Sequence, residues 1–205
     1  MDHDGKKKTH VISVGNPSGL NYAYDLKQGG LLKVWRGDFL NVTEMWHERG
    51  EPQIAAPMGS AISFNDHAAL AVVSTDKSPL PDSLDNKDLF YKGYVLNDQQ
   101  CPVYQFQYKN ITFDDVLQPS ANGQGLSRKV SVTGINNGQL TYLRIAQGST
   151  IEKVGDNIFA INNQQYFIQL PAGTKIKYEI KESPGKQELV IPLTGTSSFE
   201  FILVW

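Results

Sequence analysis

The residues best suited to ligand chemistry lie close together, between positions 35 and 49. Tryptophan faces stack on sugar rings, and charged side chains make strong, directional hydrogen bonds to polar ligand groups. This combination predicts a site for a small polar ligand, with a carbohydrate as the first choice. The candidate ligand-binding residues are Trp35, Arg36, Asp38, Trp46, His47 and Arg49.

The same residues also have a structural interpretation. Trp35 continues the apolar face of a strand, Trp46 closes a sheet edge, and Arg36 and Asp38 pair across a turn. If Val42–Arg49 forms one or two helical turns, Trp46 and Arg49 share a face because they are three residues apart. They are then expected to line one concavity, with Trp35 or Asp38 opposite.

Other chemistry has weaker support. The histidines His3, His10, His47 and His67 lack the spacing of a transition-metal site. The aspartates of the polar loop 75–88 lack the glycine and glutamate of a calcium-binding EF-hand. No metal and no cofactor are predicted, and the oxygen ligands of Asp82, Asp85 and Asp88 leave calcium open.

Catalytic motifs are missing as well. The sequence has no nucleophile elbow, phosphate-binding loop or dinucleotide-binding glycine pattern. Asp114 and Asp115 are neighbours on a predicted strand, so they face opposite sides and cannot form the carboxylate pair of a glycosidase. Catalytic residues stay unassigned.

The elements that must position these residues are strands. Apolar and polar residues alternate through Tyr104–Tyr108, as on a strand with one buried face, and Phe199–Trp205 alternates at first and then has apolar residues on both faces, as in a central strand. Turn residues such as Asn137-Gly138 separate the runs. Strands are predicted near 9–14, 20–26, 31–36, 60–64, 89–96, 103–109, 111–117, 126–133, 140–146, 150–154, 157–161, 164–169, 174–181, 187–193 and 198–205.

This spacing of short strands is typical of an all-β, antiparallel, multi-stranded β-sandwich with at most one or two short helices. The preferred version is a large supersandwich of the mutarotase-like type. One sandwich domain is expected over 10–205. The polar residues 1–9 are expected to be a disordered or vector-derived tail.

Composition narrows the class of protein. The 205 residues carry a net charge of −2, which gives no basic footprint for nucleic acid. No apolar run has the roughly 20 residues of a membrane span. The single cysteine, Cys101, excludes a disulfide within the chain.

Residues 10–58 resemble a β-rich domain of large exported proteins from environmental bacteria. The resemblance rests on Gly19-Leu20-Asn21-Tyr22-Ala23-Tyr24-Asp25, Val34-Trp35-Arg36-Gly37-Asp38-Phe39-Leu40 and Trp46-His47-Glu48-Arg49-Gly50. Segments 92–108 and 126–132 continue it. Those proteins also carry c-type haem or glycosyl-hydrolase-like modules. The resemblance implies an exported accessory domain, although this chain lacks the haem-attachment motif Cys-x-x-Cys-His.

Three functions follow as hypotheses. The first is a non-catalytic binding domain of an exported bacterial protein, with a carbohydrate ligand and haem or hydrolase modules as neighbouring domains. The second is a sugar-active hydrolase, lyase or epimerase using a carboxylate or His47. The third is a purely structural interaction domain. The expected location is periplasmic or extracellular, with the signal peptide already removed.

Overall fold

The computed structural model describes residues 1–46, 53–172, 176–183, 185–195 and 197–205. Strand makes up 59% of it, well above the 20–25% of an average domain. The predicted all-β, antiparallel sandwich class is therefore confirmed.

The strands of the first part of the chain are Asp2–His3 (β1), Lys6–Lys7 (β2), Val11–Val14 (β3), Leu20–Asp25 (β4), Gly30–Asn41 (β5), Ala56–Ser63 (β6), Leu70–Val73 (β7), Leu89–Leu96 (β8) and Pro102–Tyr108 (β9). The remaining strands are Ile111–Pro119 (β10), Gly125–Thr133 (β11), Leu140–Gly148 (β12), Ile151–Gly155 (β13), Ile158–Ile161 (β14), Tyr166–Gln169 (β15), Glu179–Ser183 (β16), Lys186–Leu193 (β17) and Ser197–Val204 (β18).

One short helix, Thr43–Trp46 (α1), accompanies these strands in the described part of the chain. It covers the start of the helical segment predicted over 42–49, whose last residues lie outside the described residues. Within the described residues, no helix has the length and apolar character to cross a membrane.

The chain divides into two compact units, where the sequence predicted one domain over 10–205. Unit 1 comprises Met1–Leu26 and Gly30–Asp66, and unit 2 comprises Lys27–Gly29 and His67–Trp205. Every strand pair in both units is antiparallel.

Unit 1 contains a four-stranded sheet in the order β3-β4-β5-β6. Its core includes Ala23, Leu32 and Trp35, which are fully buried. The predicted tail has structure: β1 and β2 form a hairpin, and Met1 belongs to the same core cluster. Residues 1–9 are thus part of unit 1.

Unit 2 contains an eight-stranded sheet in the order β13-β14-β15-β18-β11-β10-β9-β8. Successive side chains of each strand point to opposite faces of this sheet. Those on one face are buried, among them Tyr104, Phe113, Val130 and Phe201. The residues between them face outward and are mostly polar. The outward face over β9, β10, β11 and β18 contains the candidate site described below.

Unit 2 also contains a four-stranded sheet in the order β16-β17-β12-β7. The sequence analysis missed β7 because its four residues are all apolar and show no alternation. The long loop after β7 is held against this unit by Leu80 and Leu84, which are 5% and 6% exposed.

Candidate functional site

Trp35 is a core residue of unit 1. Its side chain is fully buried in β5, and its indole Nε1 donates to the carbonyl oxygens of Asp38 at 3.0 Å and Phe39 at 2.9 Å. A ring with no exposed surface has no face to offer a ligand. The role that the structure shows for Trp35 is to hold the backbone that follows it.

That backbone is a β-bulge at Phe39. The pairing of β5 with β6 shifts between Asp38 and Leu40, so Phe39 is the extra residue. Asn21 also donates to the carbonyl oxygen of Gly37 at 3.0 Å. Gly37 has a φ of 121°, and a Cβ there would lie 2.9 Å from the carbonyl oxygen of Met58. Only glycine fits this position without strain.

The bulge gives a physical reason for the motif residues on which the family resemblance rests. The segment around Asn21 and the segment from Trp35 to Phe39 meet through these hydrogen bonds. The Phe39 ring packs on Gly15 and stacks near Trp35, with 6.3 Å between ring centroids. The motif residues therefore hold the Phe39 side chain in one orientation at the surface, where it is 44% exposed.

The other predicted site residues have different surroundings. Arg36 and Asp38 are exposed on β5 beside the bulge, and Trp46 is 84% exposed at the end of α1. His47 and Arg49 lie outside the described residues. The structure thus joins Trp35 to the backbone of Asp38, and the predicted concavity of Trp46 with Arg49 stays a prediction.

A different candidate site lies on the outward face of the eight-stranded sheet. A cavity of about 390 Å³ opens there, within the range of roughly 300–1,000 Å³ typical of ligand pockets. We call it the sheet groove, and its lining residues are Asn97, Gln99, Val103, Asp114, Val116, Gln118, Ser127, Lys129, Ser131 and Glu200.

Strand register places the charged residues of the sheet groove side by side. Lys129 on β11 lies directly opposite Glu200 on β18. Asp114 on β10 lies opposite Ser131, two residues along β11 from Lys129. Cross-strand neighbours on one face are about 4.5–5.5 Å apart between Cβ atoms, so these side chains point into the same space.

Hydrogen bonds within the groove orient part of this lining. Ser127 Oγ donates to Glu200 Oε1 at 2.6 Å, and Asn97 Nδ2 donates to Gln118 Oε1 at 3.3 Å. Side chains that are already positioned lose less freedom when a ligand binds. The arrangement offers carboxylate acceptors and an ammonium donor, which together suit a ligand rich in hydroxyl groups.

A buried ion pair supports the groove from the opposite face of the same strands. Arg128 on β11 donates to Asp115 on β10 through Nε at 3.0 Å and Nη2 at 2.6 Å. Both side chains are buried. Asp114 therefore faces the groove and Asp115 faces the core, as the sequence predicted for these neighbours.

A second cavity of about 960 Å³ adjoins the groove. It shares Lys129 and Glu200 with the sheet groove. Its other lining residues are Pro171, Ile176, Lys177, Glu179, Pro192, Thr194, Ser197, Ser198 and Phe199. The shared pair stands at the junction of the two spaces.

A third polar cluster ties the long loop of unit 2 to its four-stranded sheet. Lys186 donates to Asp82 at 2.5 Å, and His67 Nε2 lies 3.5 Å from the same carboxylate. The hydrogen bond to Lys186 holds the pKa of Asp82 below its usual value. Burial lowers the pKa of His67, whose other nitrogen contacts Gln147.

This cluster fastens the loop. Arg144 adds a hydrogen bond to the carbonyl oxygen of Pro81 at 3.1 Å while it pairs with buried Glu188 at 2.7 Å. Among the residues that the structure describes, no group of three or more His, Cys, Asp or Glu side chains is arranged to hold a metal ion.

Sequence reasoning missed the sheet groove because Glu200 on β18 lies about 70 residues or more along the chain from Asp114 on β10 and Lys129 on β11. The only sequence signal was alternation, which marked Asp114, Lys129 and Glu200 as the outward residues of their strands. Which outward residues meet is decided by register, and register is not visible in a single sequence.

Comparisons with known proteins do not assign this chain to a family. No protein-family model matches it, and a search of curated proteins finds no match. The resemblance of residues 10–58 to a domain of exported bacterial proteins stays a prediction.

Proposed function

We propose that this protein is a non-catalytic binding domain for a carbohydrate, and that the sheet groove of unit 2 is its ligand site. The observation that carries the proposal is the convergence of Asp114, Lys129 and Glu200 on one cavity of about 390 Å³. Sugar hydroxyl groups both donate and accept hydrogen bonds, so they match a site that presents carboxylates and an ammonium group together.

The mixture of charges favours a neutral ligand. Two carboxylates and one ammonium group leave the groove without the excess of positive charge that phosphate or nucleic acid requires. A cationic ligand would in turn meet the ammonium group of Lys129 in the lining. A neutral polyol avoids both conflicts.

The experiment is calorimetric titration of the whole chain with xylan, mannan, β-1,3-glucan and soluble starch, repeated with Asp114→Asn. Removing a hydrogen bond to a charged group costs about 1.5–3 kcal/mol, so binding weakens by about tenfold or more. Asp156→Asn is the matched control, because Asp156 is exposed in unit 2 and is not among the groove residues. Equal affinity of the two variants contradicts the proposed site.

A second candidate function, a sugar-active enzyme, has one observation in its favour. Asp114 and Glu200 line the same cavity, and glycosidases act through two carboxylates. Release of reducing ends from any bound polysaccharide, lost in both Asp114→Asn and Glu200→Gln, identifies an enzyme. Binding without release identifies the non-catalytic domain.

The resemblance of residues 10–58 supports a place for this domain in an exported bacterial protein, beside haem or hydrolase modules in the periplasm or outside the cell. Immunoblotting of periplasmic, extracellular and cytoplasmic fractions tests the location. Recovery in the cytoplasmic fraction alone contradicts it.

A further inference from the structure

The two cavities of unit 2 share part of their lining. Lys129 and Glu200 belong to the lining of both, and they face each other across β11 and β18. Ser127 holds Glu200 in place through its 2.6 Å hydrogen bond. A ligand group that reaches this pair from the sheet groove has therefore reached the boundary of the second cavity.

The linings on the two sides of this boundary differ in chemistry. Eight of the ten side chains that line the sheet groove are polar, and the other two are Val103 and Val116. The second cavity adds an apolar wall made of Pro171, Ile176, Pro192 and Phe199. Sugar rings have hydroxyl groups around the rim and C–H groups on their faces. The sheet groove can therefore hydrogen-bond the hydroxyl groups, and the second cavity can pack against a ring face.

We infer that the ligand is a neutral oligosaccharide chain that crosses the Lys129–Glu200 pair, with hydroxyl groups held in the sheet groove and further sugar units packed on the apolar wall. The inference rests on the proposed function and deepens it by giving the ligand a length. Charge agrees, because the second cavity contributes Lys177 and Glu179, one of each sign.

Occupation of both cavities has a measurable consequence. A ligand that the groove already holds has lost most of its translational and rotational freedom. Its further contacts in the second cavity therefore cost little additional entropy of association. Joining two binding sites through one ligand strengthens binding by about 100-fold or more in favourable geometry. A single sugar unit occupies one cavity and gains none of this.

The test is calorimetry of the whole chain with glucose, xylose and mannose and with their β-1,4-linked oligomers of increasing length. We expect affinity to rise by about 100-fold from the monosaccharide to the longest oligomer of the preferred series. Ile176→Ser and Lys177→Ala should weaken the longest oligomer and leave the monosaccharide unchanged. Lys87→Ala, an exposed lysine of the long loop, is the matched control.

The outcomes separate this inference from the function on which it rests. Binding that does not depend on length, or that is insensitive to both second-cavity variants while they keep the parental melting temperature, overturns the inference and leaves the groove as a site for one sugar. Failure of every sugar to bind overturns the proposed function itself, and the inference with it.

Discussion

The Phe39 bulge of unit 1 and the sheet groove of unit 2 use buried polar side chains in opposite ways. In the bulge, buried Trp35 and Asn21 hold backbone carbonyls so that an apolar ring is displayed. Beneath the groove, the buried pair Asp115–Arg128 lies on strands whose outward face is polar. The comparison teaches that Trp35, one of the six residues proposed from the sequence to bind a ligand, has a structural role.

The largest expected effect separates the two faces of β10. Asp115→Ala leaves Arg128 buried without its carboxylate, and breaking a buried pair costs about 3–5 kcal/mol of unfolding free energy. Asp114→Ala, one residue away on the exposed face, should change it by no more than about 0.5 kcal/mol. Urea unfolding of both variants measures this, and an Asp115→Ala loss as small as the one expected for Asp114→Ala would mean that the pair contributes little.

The next effect concerns the display of Phe39. Trp35→Phe keeps a buried aromatic ring and removes the indole donor to the carbonyls of Asp38 and Phe39. Both hydrogen bonds are partly buried, and a hydrogen bond of this kind contributes about 0.5–1.5 kcal/mol to stability. Trp46→Phe is the matched control, since Trp46 is 84% exposed. A Trp35→Phe protein with unchanged thermal stability would show that the bulge does not depend on this hydrogen bond.

A smaller effect appears with pH, and it arises in both units. Burial lowers the pKa of His3 in unit 1 and of His67 in unit 2 from the ordinary value of 6.5. Near that pH the unfolded chain takes up protons that the folded chain does not. The stabilisation from these two neutral histidines is therefore complete above about pH 6.5 and is lost as the pH falls below that value through their lowered pKa values.

The source of this decline is identified by substitution. Protonated His67 would face Lys186 and Arg144, with Asp82 as the counter-charge, and the lowered pKa of Asp82 keeps that carboxylate ionised throughout this range. His67→Gln should remove the part of the pH dependence of stability that arises in unit 2. His3→Gln should remove the part that arises in unit 1. If the unfolding free energy of both variants falls with pH as steeply as that of the parental protein, this assignment is contradicted.

The smallest expected effect is that of Trp46→Ala, which tests whether the ligand binds near Trp46 or in the sheet groove. Trp46→Ala should change the unfolding free energy by no more than about 0.5 kcal/mol and leave carbohydrate affinity unchanged. If Trp46 instead stacks on the ligand, its loss weakens binding by roughly 1 kcal/mol. Calorimetry with the best sugar decides between them.

Much of the fold was predictable from local pattern. Alternation gave β8 with the observed bounds and gave Asp114 and Asp115 their opposite faces. It failed at β7, whose residues are uniformly apolar, and at residues 1–9, where Met1 belongs to a core cluster despite a polar sequence around it.

The candidate site was harder to predict than the fold. The density of aromatic and charged residues from Trp35 to Arg49 drew attention because they are close in sequence. Lys129 and Glu200 become neighbours only through the pairing of β11 with β18. Such long-range register depends on packing of the whole sheet, which no local pattern in the chain encodes.

The most direct test of the sheet groove is to map ligand-induced chemical-shift changes by amide NMR, using the sugar that binds most tightly. We expect the largest changes at Asp114, Lys129 and Glu200 on β10, β11 and β18, with little change from Trp35 to Trp46. Changes confined to residues 35–46 would contradict it and would place the ligand site at the Phe39 bulge and α1.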